Sequence, residues 1–173
     1  MPISSEFATC YLFVDGGYVR ARREAQKLAL EFDPRTPRQF FSKRRINMVR
    51  CFYFDAQDAS DSATESFFDK LRSLDSTFVF LGHIAGEGNK RRQKGVDMQL
   101  AIEALKVARA GHVDVIAIVA GDQDFVPLVE AIRDEGPIVY VIGFKGSISK
   151  ELLNSADRKH IYDDVDSSWD LKP

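Results

Sequence analysis

An α/β fold built on a mainly parallel sheet is predicted by three features of this 173-residue chain. Short apolar runs rich in β-branched and aromatic residues alternate with longer segments of helical periodicity, the pattern of parallel strands joined by helical crossovers. Two runs, VDVIAIVAG (113–121) and IVYVIGF (138–144), are apolar almost throughout, as strands covered on both faces require. Apolar residues make up 45% of the chain and charged residues 29%, enough to fill the core of a soluble globular domain. The expectation is a single domain over residues 1–173, a three-layer α/β/α sandwich around five or six strands.

The elements follow in order. CYLFVD (10–15) reads as the first strand and ends at an acid followed by two glycines. YVRARREAQKLALEF (18–32) repeats apolar positions at helical spacing, and DPRTPRQ (33–39) breaks that helix. INMVRCFYFD (46–55) is the second strand, and SATESFFDKLRSL (62–74) an amphipathic helix capped by Asp61 or Ser62. FVFLGHI (78–84) is the third strand, leading into the polar loop AGEGNKRRQKG. VDMQLAIEALKVARAG (96–111) is a helix that stops at a glycine. The central strand 113–121, a helix over 125–136 and the strand 138–144 come next. A short helix near 149–156 and an edge strand HIYDDV complete the series.

Composition excludes several classes. The formal net charge of −2 carries no global signature of nucleic-acid binding, so any such surface must be local. No apolar stretch approaches the roughly 18–20 residues that span a bilayer. The opening residues MPISSEFATC lack a basic-then-apolar signal pattern, and the chain reads as cytoplasmic. Cys10 and Cys51 each sit in a strand-like run and form no CxxC or Cys/His array, so they read as buried thiols. His83, His112 and His160 are far apart in sequence and read as structural or surface residues.

The acids carry more information. In open parallel sheets, ligands bind beyond the carboxyl ends of the strands. Asp15 ends the first strand, Asp122 follows Gly121 at the end of the central strand, Asp124 lies two residues on, and Asp97 opens a helix after a long loop. If the first and central strands are neighbours, these carboxylates share one edge of the sheet. Such a cluster suits a hard divalent cation, Mg²⁺ or Mn²⁺, which takes oxygen ligands and keeps several waters. Each acid also has a local explanation. Asp124 and Asp97 could cap their helices, and Asp15 could favour the turn at DGG. Asp55 also ends a strand, but it leads into the acidic stretch DAQDASDS and reads as part of a solvated loop.

YLFVDGGYVRA, KGVDMQLAIEAL, IAIVAGDQDFVPLVEAIRDEG and VIGF, in this order, resemble the NYN domain, in its LabA-like branch. That family belongs to the wider group of PIN-like, metal-dependent ribonucleases. The most specific part of the likeness is K-G-V-D followed by G-D-x-D-F at this separation. The resemblance implies a metal-dependent ribonuclease. Asp15, Asp97, Asp122 and Asp124 would be its metal ligands and catalytic acids, and the products would carry 5′-phosphate and 3′-hydroxyl ends. Glu103 falls where many relatives carry a further acid, but six helical residues turn it about 120° from Asp97. Two positions depart from the pattern: Tyr18 stands where many relatives have asparagine, and Gln123 or Gly121 where many have Ser or Thr.

RNA, single-stranded by expectation, needs a positive surface. Lys90, Arg91, Arg92 and Lys94 lie in the loop that leads to Asp97 and are the expected phosphate contacts. A second stretch interleaves Arg35, Arg38, Lys43, Arg44 and Arg45 with Phe40 and Phe41, which could stack on bases or anchor a short helix. The competing reading is a non-catalytic module that binds RNA or a regulatory partner and keeps the metal site. A haloacid-dehalogenase-like phosphatase would need an aspartate at Gly17. Self-association through residues 40–41 or Trp169 is a further possibility.

Overall fold

A computed structural model of the chain describes residues 7–27, 32–57, 61–85 and 92–162. The strand β1 (Ala8–Asp15) carries consecutive apolar residues because both of its faces are covered. Cys10, Leu12 and Val14 enter one core, and Tyr11 and Phe13 enter the other. β1 pairs in parallel with β2 (Ile46–Gln57) on one side and with β5 (Val115–Val119) on the other. β3 (Thr77–Ala85) extends the sheet beyond β2, and β6 (Ile138–Phe144) and β7 (Arg158–Tyr162) extend it beyond β5, all parallel. A short antiparallel strand, β4 (Arg92–Lys94), closes the β3 edge, so the order is β4-β3-β2-β1-β5-β6-β7.

Helices cover both faces. Val19 of α1 (Gly16–Ala25), Phe41 of α2 (Arg35–Ser42) and Phe68 of α3 (Ser62–Arg72) pack on the side of Leu12 and Val14. Leu100 of α4 (Val96–Ala110), Val129 of α5 (Val126–Asp134) and Leu152 of α6 (Lys150–Ser155) pack on the side of Phe13 and Ile118. Each fully buried Leu or Phe contributes about 1.5–3 kcal/mol relative to exposure. The predicted three-layer sandwich is the observed one: six parallel strands, with the short antiparallel β4 added at the β3 edge.

Four local readings are corrected. The stretch 33–39 does not simply break a helix: Arg35–Ser42 is helical. Asp33 Oδ1 accepts from the Arg35 amide at 2.9 Å, and Pro37 falls in the first turn, where its missing N–H costs nothing. The helix expected over 18–32 starts at Gly16 and ends at Ala25, where Lys27 turns into left-handed backbone at φ 57°. Residues 28–31 lie outside the described residues. The loop before α4 ends in β4, whose three polar residues, RQK, give no strand signal. The last strand begins at Arg158, ahead of His160, and 163–165 lie outside the described residues.

The chain steps outward from β1 to β4, then α4 carries it back to β5, so strand order reverses between β1 and β5. That reversal opens a crevice at the carboxyl ends of these two strands. Cys10 and Cys51 are buried and unlinked, and burial pushes both thiols up, that of Cys51 to about 12. No helix among the described residues is long and apolar enough to cross a membrane.

Candidate functional site

The acids meet at the crevice between β1 and β5. Val14 pairs with Val119, so Asp15 and the turn after Val119 stand at the same edge of the sheet. Asp15 caps α1, its Oδ1 accepting the Tyr18 amide at 3.1 Å. Asp122 caps the short 3-10 turn Gln123–Phe125, its Oδ1 accepting the Asp124 amide at 3.0 Å. Each keeps one carboxylate oxygen uncommitted by these bonds. Asp97 and Asp124 do not cap their helices. Gly95, at φ 81°, starts α4, and α5 starts from Phe125 without a side-chain cap, so both carboxylates are left for other work.

Asp97 couples the acids: it acts on Asp15, and Asp122 and Asp124 act on it. The Asp15 carboxyl is pushed up to about 7, first by burial; the Tyr18 amide pulls it down, and Asp97 and Asp55 push it further up. The Asp97 carboxyl is raised by burial, then by Asp122 and Asp124. Like charges held this closely favour protonation or a cation. Among the described residues, no three His, Cys, Asp or Glu side chains converge as a ready-made metal shell. In donor chemistry the cluster fits a hard cation, since it offers only carboxylate oxygens.

The raised Asp15 carboxyl has a consequence for stability. An aspartate at about 7 in the fold against 3.8 when exposed disfavours folding once it ionises. The penalty is absent below about pH 4, grows through the window up to about pH 7 and is complete above it, at about 2–4 kcal/mol. Asp15→Asn removes the charge and keeps an oxygen for the Tyr18 amide. In EDTA the variant is expected to melt several degrees above wild type at pH 8, with the gap closing toward pH 4. A pH series of thermal melts checks this, and a gap that widens on acidification would contradict it.

Two residues near the cluster were not foreseen as part of it. Asp55 is not in a solvated loop: it is completely buried at the end of β2 and bonded to Arg20 Nη2 at 2.6 Å. Burial still raises its carboxyl, against the pull of Arg20. The nearby guanidinium is thereby committed to Asp55 and to the Ala56 carbonyl at 3.2 Å. Tyr18 acts as a spacer. Its hydroxyl accepts the Phe144 amide at 2.8 Å and meets Ser147 Oγ at 3.0 Å, while its ring stacks on Phe144. The same ring lies against Gly121, where a Cβ would collide with it and with the Ser147 carbonyl. Tyr18 thus links α1, the end of β6 and the strand end that presents Asp122.

The basic residues divide. Lys90 and Arg91 lie outside the described residues; Arg92 and Lys94 belong to β4, which pairs with β3 through Ala85↔Arg92 and His83↔Lys94. The stretch 35–45 lies at the start of β2, opposite the acids. Arg35 is paired with Asp33, Arg38 donates to the Asp75 carbonyl, and Arg44 sits 3.7 Å over the Phe40 ring. Phe41 is completely buried, so this stretch anchors a helix. Glu103 bonds Lys106 on the surface of α4 at 2.9 Å. Between α4 and α5 a groove of about 480 Å³ adjoins Asp97 and Asp124.

The NYN domain family profile matches residues 9–164, nearly the whole described chain. The chain belongs to the NYN domain family. This NYN domain is 28% identical over 163 residues to the low amplitude and bright protein LabA of Synechococcus elongatus, covering 90% of this chain and 84% of that one. It is 36% identical over 62 residues to the uncharacterized protein MJ0482 of Methanocaldococcus jannaschii, covering 36% of this chain and 26% of that one. Its fold is shared with VPA0982, a protein of unknown function from Vibrio parahaemolyticus. That crystal structure superposes at a TM-score of 0.75 and 23% identity over 97% of this chain and 99% of that one. The family places the chain among PIN-like, nuclease-family modules.

Proposed function

We propose that this NYN domain is a metal-dependent ribonuclease that hydrolyses phosphodiesters of single-stranded RNA. One observation carries the reading: carboxylates from three separate segments gather at the β1/β5 crevice, while Arg20 is committed to Asp55. Asp15, Asp97 and Asp122 would hold Mg²⁺ or Mn²⁺, and Asp124 would bind directly or through water. When bound, such an ion supplies positive charge to the scissile phosphate and acidifies the water beside it.

The chain's own residues do the rest. Asp15 gives up its proton before it can act as a ligand, so occupancy of the site falls as the pH drops below about 7. Tyr18 and Gly121 set the height of Asp122 above the strand end. Lys90, Arg91, Arg92 and Lys94, just before Asp97, hold substrate phosphates. Products would carry 5′-phosphate and 3′-hydroxyl ends, and the site would work in the cytoplasm.

The test is cleavage of single-stranded RNA by the wild-type protein in EDTA, Mg²⁺ and Mn²⁺. Cutting that appears only with metal supports the reading. Metal binding without cutting of any RNA supplied would leave a binding or regulatory module in its place. Substitution of all four basic residues by glutamate is expected to weaken RNA binding about uniformly across sequences and to flatten its salt dependence. Binding measured at several salt concentrations checks this, and an unchanged slope would remove these residues from the interface.

A further inference from the structure

The groove between α4 and α5 is unusual for its neighbourhood. Apart from Asp97 and Asp124, every residue lining it is apolar. Met98 and Ile102 on its α4 wall keep 64% and 47% of their surface in water, beside a cluster of charged groups. Phe125, almost fully buried, and Leu128 line it from the segment that leads into α5 and from α5 itself. Large apolar side chains left exposed together mark a surface that receives something.

We infer that this groove receives the base of the nucleotide whose phosphate lies at the acidic cluster. The inference rests on the ribonuclease reading and adds the subsite that grips the nucleoside. Two arguments select this occupant. Apart from two carboxylates the lining is apolar, which disfavours an acidic peptide and suits a neutral, flat ring system. Those same carboxylates belong to the cluster, so a phosphate held there keeps its own nucleoside next to the groove. The size, about 480 Å³, lies in the range of small-ligand pockets, roughly 300–1,000 Å³.

The lining also sets the specificity. No amide, hydroxyl or guanidinium lines the groove, so it has little with which to read hydrogen-bonding edges. Recognition is by apolar contact with the ring face, tolerant of base identity and stronger for the larger purines.

The test uses wild-type protein with ¹³C-labelled Met and Ile methyl groups, titrated in Mg²⁺ with AMP and separately with ribose 5-phosphate. AMP is expected to move the Met98 and Ile102 methyl signals, and ribose 5-phosphate to leave them in place. Met98→Ala/Ile102→Ala, changed at exposed positions, is expected to weaken AMP about tenfold while leaving ribose 5-phosphate unaffected. AMP that perturbs the Asp15 and Asp122 amides but not these methyls would overturn the assignment, as would AMP that perturbs nothing. Methyl shifts that follow protein concentration alone would overturn it too, giving the groove to a second copy of the chain. Failure of the ribonuclease reading is distinguishable: RNA would stay uncut in metal while AMP still moved the methyls.

Discussion

Asp122→Asn is expected to lower metal-dependent RNA cleavage by at least about 10²–10³-fold while leaving the fold intact. Asparagine keeps the Oδ1 that accepts the Asp124 amide at 3.0 Å, so the turn after β5 retains its cap. What it loses is the negative charge, and with it one of the cluster's hard anionic oxygens. Initial rates on single-stranded RNA in Mn²⁺, beside thermal melts of both proteins, separate the two effects. The melts should agree within a degree or two while the rates part. A fully active Asp122→Asn protein, free of contaminating nuclease, would remove this carboxylate from the chemistry.

Gly121→Ala is expected to destabilise the protein by about 2–4 kcal/mol, through space rather than backbone angle. A Cβ at this position would enter the Tyr18 ring on one side and the Ser147 carbonyl on the other. The ring cannot swing away without breaking its hydroxyl's bond to the Phe144 amide and its stacking on Phe144. For a chain of this length the melting temperature should fall by roughly 5–15 °C. Unchanged melting would mean that Tyr18 and the Ser147 turn yield freely, and the proposed support of Asp122 would go with it.

The fold was legible because its signals are local and repeated. β5 is aliphatic throughout and β6 apolar almost throughout, as burial between two helical layers demands, and helix stops such as Gly111 stand where the chain turns. Signals that depend on a distant partner were not legible. Asp55 looked like a loop acid because Arg20, which neutralises it, lies 35 residues away. α2 was hidden by Pro34 and Pro37, which read as breakers until Asp33 is seen to cap the helix from outside. β4 holds only three polar residues, and nothing in RQK announces a strand.

The candidate site shows the same division. Strand-end positions marked Asp15 and Asp122 individually, but their meeting required β1 and β5 to be neighbours, a fact of long-range pairing. Tyr18 stood out in the sequence only as a departure. Its hydrogen bond to the end of β6, 126 residues on, and its contact with Gly121 explain what it does there. The apolar groove left no trace in the sequence, because Met98 and Ile102 follow the same helical spacing as buried residues of α4.

The central claim is that these carboxylates form a site for a divalent cation. Calorimetric titration of Mn²⁺ into metal-free protein at pH 8, for wild type and for Asp15→Asn/Asp122→Asn, tests it most directly. Saturable binding by the wild type that is lost in the double variant is the predicted result. Equal binding by both proteins, or none by the wild type at millimolar Mn²⁺, would contradict it and leave Asp15 and Asp122 as helix and turn caps alone.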